Sequence, residues 1–210
     1  KAEHFVKTLK KYYQITEDWN AKKYLGLTIT KDPTTRNISI SMPGYVKSHL
    51  DMLNFKQTKE VHNPSRFIPP PYYVKDTNET PIKEAELATP QQQKEIQVIC
   101  GMFLYYAQLD PTILVAVNRL SSMQAKPTVD VYAEAMHLLN YLATYPEAII
   151  VFKPSDMLLR VVSDASLKSE NKYRSRVGGY HYLGWKSENI EIPQNMLING
   201  PIQVLSKITS

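Results

Sequence analysis

Cysteine is nearly missing from this 210-residue chain, with Cys100 as its single thiol. That excludes an internal disulfide framework and suits a reducing compartment. Cys100 sits among Ile96, Ile99 and Phe103, the setting of a buried core thiol and not of a nucleophile. No run of about eighteen apolar residues occurs, so no membrane span is expected. The N-terminal KAEHFVKTLKKYYQ is charged and amphipathic, without the apolar block of a secretion signal, so an intracellular protein is expected. His4, His49, His62, His137 and His181 are scattered with no metal-ligand spacing, which argues against zinc. G-x-S-x-G, P-loop and dinucleotide fingerprints are absent, and so is any adjacent Asp-Asp pair.

The charge that is present is uneven. Residues 1–65 hold eleven Lys/Arg against six Asp/Glu, residues 66–156 seven against ten, and residues 157–210 seven against four. Basic ends around a mildly acidic middle fit a chain that meets nucleic acid at both ends, although the excess is modest.

Periodicity divides the chain. Phe5, Val6, Leu9, Tyr12 and Tyr13 share one helical face over 3–13, with Lys7, Lys10 and Lys11 opposite. A strand is expected over Lys23–Lys31 and another over Ile38–Met42, joined as a hairpin by the turn-rich segment 32–37. Gly26 then falls inside the first strand, where it marks either a bulge or a close approach of backbone or ligand. Pro43-Gly44 opens a helix whose face is Tyr45, Val46, His49, Leu50, Met52 and Leu53. Residues 61–90, with Pro64, Pro69-Pro70-Pro71, Pro81 and Pro90, read as an extended connector. Three helices follow, introduced by Thr89-Pro90, Asp110-Pro111 and Thr128, with apolar stripes that are core and not a cofactor site. The fold class is therefore α+β.

The stretch that organises the rest is Met157–Gly184. Met157, Leu158, Leu159, Val161 and Val162 lead to Asp164, as a largely buried strand ending at a carboxylate. A polar, basic turn follows, then a β-rich run Ser175–Leu183, and Ile202–Ser206 forms a third short strand. A carboxylate at a strand end is where nucleases place Mg²⁺ ligands, and it is also an ordinary turn residue. Lys168, Lys172, Arg174 and Arg176 beside it can take nucleic-acid phosphates or simply form a solvated loop.

SDASLKSENKYRSRVGGYHYLG resembles the start of the ribonuclease H domain of copia-type retrotransposon polyproteins. The upstream order of Tyr24-Leu25-Gly26, the S-M-P-G-Y at 41–45, G-x-F-L-Y-Y-A at 101–107, D-P-T-I-L-x-A-V at 110–117 and L-L-N-Y-L-A-T at 138–144 is similar to the reverse-transcriptase region of the same family. One departure is Asp110-Pro111-Thr112-Ile113, where the family often reads R-P-D-I. The resemblance implies the end of a polymerase palm hairpin and the start of the thumb over 1–60, and a proline-rich connector over 61–90. It implies a helical thumb or connection bundle over 91–147 and the N-terminal strands of a truncated ribonuclease H-like antiparallel sheet over 148–210. It further implies that Tyr24, Leu25 and Gly26 form the primer-grip turn, that Asp164 is the first metal-binding carboxylate, and that Mg²⁺ is the cofactor of the intact enzyme. RNA template, DNA primer and RNA–DNA hybrid become the expected partners, in a cytoplasmic particle or the nucleus. Two-metal hydrolysis needs several acids around ions about 3.5–4 Å apart. Only Asp164 matches the family set; the next acid is expected beyond Ser210, and the polymerase aspartates before Lys1. The chain alone is accordingly expected to be neither polymerase nor nuclease. The alternative is a remnant that serves as an interaction module.

Overall fold

A computed structural model describes residues 2–66, 86–170, 174–186 and 198–209. Most of the proline-rich stretch, including Tyr72 and Tyr73, lies outside the described residues, as do Lys172, Glu188 and Glu191. The element order is α1 (Ala2–Leu9), β1 (Lys23–Tyr24), β2 (Leu27–Lys31), β3 (Ile38–Ser41), α2 (Tyr45–Met52), α3 (Pro90–Tyr106), a 3₁₀ turn (Pro111–Ile113), α4 (Leu114–Met123), α5 (Val129–Thr144), β4 (Ile149–Phe152), β5 (Leu158–Glu170), β6 (Arg174–Gly184) and β7 (Pro201–Thr209). This mixture of helices and antiparallel sheets is the α+β class that the sequence predicts. Among the described residues no helix is long and apolar enough to cross a membrane.

The helical starts follow the cap chemistry. Thr89 and Gln92 form a reciprocal capping box on α3, with Pro90 in the first turn, and Thr128 caps α5 through Val131 N. Asp110 accepts the amide of Thr112 at 3.1 Å and so holds the 3₁₀ turn that feeds α4. The stripes of these helices converge on one core, in which Val46, Ile96, Phe103, Tyr106, Ile113, Val117, Leu138 and Leu142 are fully buried. Burial of each such side chain contributes roughly 1.5–3 kcal/mol, so this cluster dominates the stability of the fold. α1 differs: none of its residues is buried, and Phe5, with Tyr12 just beyond the helix, remains exposed.

The sheet β1–β2–β3–β4 lays Leu27, Ile40 and Ile150 against this core. β4 pairs antiparallel with β3, Ile38 opposite Phe152 and Ser41 opposite Ile149. The apolar run at 149–152 thus closes the N-terminal hairpin as the fourth strand of the first sheet.

The second sheet, β5–β6–β7, is antiparallel with β6 in the middle. It docks through β7, where Val204 packs on the core and Asn118 Nδ2 donates to Ser206 O at 2.8 Å. Its ladder corrects the sequence reading twice. β5 does not end at Asp164: it stays in register through Ser166, Asp164 facing Gly178 and Ser166 facing Arg176, because β6 supplies partners on past the carboxylate. Nor is β5 buried. Leu159, Val161 and Val162 are 61%, 52% and 56% exposed, since β5 is the edge strand distal to the bundle and short apolar runs do not report which side of a sheet is covered.

Candidate nucleic-acid and metal site

The first candidate site is the Tyr24–Gly26 turn. Lys23–Lys31 is not one strand with an internal glycine but two, with Tyr24 opposite Leu27 and Leu25-Gly26 as a two-residue turn. Both central residues have positive φ, 49° at Leu25 and 83° at Gly26, the type I′ geometry that matches the twist of a hairpin. Gly26 is needed for this dihedral, and not for close contact with the rest of the chain, because a Cβ there meets nothing within 4 Å. Tyr105, on α3, donates its hydroxyl to Leu25 O and ties the turn to the bundle. Tyr24 and Leu25 stay exposed, so the turn is a fixed backbone corner facing open space.

Its support is built from residues that the hydrophobic pattern alone assigns to core. Tyr45 donates its hydroxyl to Met102 O at 3.0 Å and stacks on Tyr106 with ring centroids 5.4 Å apart. Burial, with the neighbouring Tyr105 phenol, pushes the Tyr45 hydroxyl pKa up, and burial followed by the Asp110 and Glu147 carboxylates does the same to Tyr106. On the other flank Asp18 accepts the amides of Lys22 at 2.7 Å and Lys23 at 3.2 Å, which holds its carboxyl below the usual range. Lys22 and Lys23, at the start of β1, are therefore presented on an ordered backbone.

The second candidate is Asp164. Its side chain is exposed, and Oδ1 accepts the amide of Ala165 at 2.7 Å. Arg176 is its diagonal neighbour on the same face of the ladder, two residues along β6. Arg176 is half-buried and donates from Nη1 to Ser206 Oγ at 2.6 Å, turned toward β7. Lys168 occupies the bulge between Ser166 and Glu170 with φ 53°, its amide bonded to Ser175 Oγ at 3.1 Å. Arg174 lines a cleft of about 630 Å³ bounded by Ala116, Leu120, Met123 and Val131 of α4 and α5. Arg174 and Arg176 thus point to different surroundings, one toward the α4–α5 cleft and the other toward β7.

Among the described residues no three His, Cys, Asp or Glu side chains converge where a metal ion could sit. Mg²⁺ keeps its waters and takes oxygen ligands from several acids or phosphates, so the described donors around Asp164 do not by themselves fit it. Cys100 is buried, and burial pushes its thiol pKa up, which leaves it an inert core residue.

Two buried asparagines, Asn199 and Asn140, fasten chain segments together through their side-chain amides. Asn199 Oδ1 accepts Lys153 N at 2.7 Å, and its Nδ2 donates to Lys153 O at 3.0 Å and Leu183 O at 2.8 Å. Gly200, next to it, donates its amide to Val151 O at 3.1 Å, and a Cβ at Gly200 would lie 2.7 Å from that same oxygen. This pair joins the β4 end of the first sheet to the β6 end of the second. Asn140 Oδ1 likewise accepts the amides of Thr58, at 2.9 Å, and Lys59, at 3.3 Å, and fastens the segment after α2 to α5. An Asn-Gly pair is a generic turn signal, so nothing in the sequence reveals that this one is buried.

No protein-family model matches the chain, and no solved structure matches it. A curated relative is the Retrovirus-related Pol polyprotein from transposon RE2 of Arabidopsis thaliana, 28% identical over 192 residues. The match covers 88% of this chain and 12% of that polyprotein, so the chain spans about an eighth of its relative's length. The chain is thus distantly similar, over most of its length, to a transposon-encoded Pol polyprotein.

Proposed function

We propose that this chain is a piece of a copia-type retroelement polyprotein, running from the end of a reverse-transcriptase palm through thumb and connection helices into the first strands of a ribonuclease H-like sheet. The observation that carries this reading is the likeness to a transposon Pol polyprotein along 88% of the chain. The turn Tyr24-Leu25-Gly26 supports it, because an exposed I′ corner anchored on α3 suits contact with a sugar-phosphate backbone. On this reading the intact polyprotein holds RNA template, DNA primer and RNA–DNA hybrid, and Asp164 is one of several acids that bind Mg²⁺ there. The chain by itself is catalytically silent, since one exposed carboxylate does not hold two ions.

The test compares the chain with a longer polyprotein segment that brings further acids. Mg²⁺-dependent cleavage of an RNA–DNA hybrid is expected from the longer segment, lost in its Asp164→Asn variant, and absent from the chain alone. Undiminished cleavage by the Asp164→Asn segment would remove Asp164 from the site, and cleavage by the chain alone would overturn the assignment of silence. A second reading, a remnant that acts as an interaction module, is favoured by the exposed apolar edge of β5.

A further inference from the structure

We propose that the chain self-associates by pairing β5 antiparallel with β5 of a second copy about a twofold axis at Val162. Among the described residues β5 pairs only with β6, so its other edge offers backbone donors and acceptors to a further strand. Leu159, Val161 and Val162 lie exposed along it, on both faces. A long, apolar, uncovered edge is a template for strand addition, and two independent observations say that a second copy of the same strand fits it.

The first is geometric. The regular ladder of β5 runs from Leu158 to Ser166 and is flanked by left-handed residues, Met157 at φ 58° and Lys168 at φ 53°. The flat, pairing-competent stretch is therefore nine residues long, and its middle residue is Val162. The second is electrostatic. In a twofold antiparallel pair the facing residues must present their backbone groups to the same edge, so the axis passes through a residue and not between two. Centring it on Val162 sets Arg160 opposite Asp164 of the second copy, twice by symmetry, and places Leu159 opposite Ala165. Centring it on Ser163 sets Val162 opposite Asp164, and on Asp164 sets two aspartates face to face. Centring it on Val161 sets Leu158 opposite Asp164, and on Arg160 sets two arginines face to face. Of these five registers only the Val162 one joins opposite charges and leaves no acid against a valine or leucine. Arg160 donates from Nη2 to Trp185 O at 2.6 Å, just past the end of β6, so its guanidinium must leave that carbonyl and turn to the free edge to meet Asp164 of the second copy.

The geometry is isologous, so it closes at two copies and does not propagate along this edge. It also engages the carboxylate of Asp164, which makes self-pairing and metal binding at that residue mutually exclusive.

Sedimentation velocity of the purified chain over a concentration series tests the pairing. A monomer–dimer equilibrium is expected. Arg160→Asp and Asp164→Arg should each weaken it by about tenfold or more, as like charges meet twice. The double reversal Arg160→Asp with Asp164→Arg should restore it, with circular dichroism confirming that all three variants fold. As a second measurement, Val162→Cys should form an intermolecular disulfide under mild oxidation, since facing residues lie about 4.5–5.5 Å apart between Cα atoms. Ser166→Cys, which faces Leu158 of the second copy, should not. A chain that stays monomeric throughout, a double reversal that fails to recover association, or a Val162→Cys variant that does not cross-link would each overturn the proposal.

Discussion

Replacing Asn199 by aspartate changes one NH₂ for one oxygen and almost no volume, yet it should unfold the junction between the two sheets. Asn199 is 4% exposed, and its amide is used at both ends: Oδ1 accepts Lys153 N, while Nδ2 donates to Lys153 O and Leu183 O. Asn199→Ala leaves the Lys153 amide without this acceptor, at about 1–3 kcal/mol, and removes a donor from two carbonyls at about 0.5–1 kcal/mol each. The sum is about 2–5 kcal/mol, or a fall in Tm of about 4–20 °C for a chain of this size. Asn199→Asp keeps the acceptor but sets a carboxylate against two carbonyl oxygens, so at pH 7 it should cost at least as much as the alanine. Burial and the facing carbonyls raise the folded-state pKa of that new acid above its unfolded value of about 3.9. Protonation then binds the folded state more tightly, so the deficit against the wild type narrows as pH falls through the raised pKa and widens again above it. Urea unfolding of the wild type and both variants between pH 5 and pH 8 reads this directly. An Asn199→Asp variant as stable as the wild type at pH 7, or one whose deficit grows on acidification, would refute the account of the junction.

Gly200→Ala should cost about 1–3 kcal/mol in the same assay, because its Cβ would meet Val151 O at 2.7 Å and Ile150 Cγ2 at 2.8 Å, and β4 must shift to admit it. Leu25→Asn should stabilise the chain by up to about 1 kcal/mol, since Asn-Gly is the preferred pair for a type I′ turn and Leu25 now sits at φ 49°; a loss of stability would contradict the assigned turn. Asp18 and Asp32 both have depressed carboxyl pKa values, Asp18 through the amides of Lys22 and Lys23 and Asp32 through the Thr35 hydroxyl and the Thr34 amide. Their stabilisation is present above the unfolded carboxylate pKa of about 3.9 and is lost as pH falls through the depressed folded values. Asp18→Asn should therefore flatten the acid limb of the stability profile below about pH 4, and an unchanged limb would count against these bonds.

The parts of this fold legible in the sequence are those written in local chemistry. Thr89-Pro90, Asp110-Pro111 and Thr128 each place a helix start, because an N-cap side chain and its amides lie within three residues of one another. Ile38 and Ile40 alternating with serines mark β3 for the same reason. What escapes is long-range. The pairing of β4 with β3 joins residues more than a hundred positions apart, and the exposure of β5 depends on which strands cover it. The Leu25-Gly26 turn escapes for a different reason: leucine is a poor left-handed residue, and the tie to Tyr105 that helps hold it there comes from α3. At the candidate site the sequence names Asp164 and the basic residues near it, but the side-chain directions that separate Arg174 from Arg176 depend on α4 and β7.

The central claim of the proposed function is that the surface around Lys22, Lys23 and the Tyr24-Leu25-Gly26 turn meets nucleic acid through its phosphates. Titrating the chain with an RNA–DNA hybrid over a series of salt concentrations tests it most directly. The account predicts weak binding whose logarithm falls linearly with log salt, by roughly 0.7–0.9 for each phosphate contacted, and a shallower slope when Lys22 and Lys23 are changed to alanine. Affinity that is the same at low and high salt would contradict it.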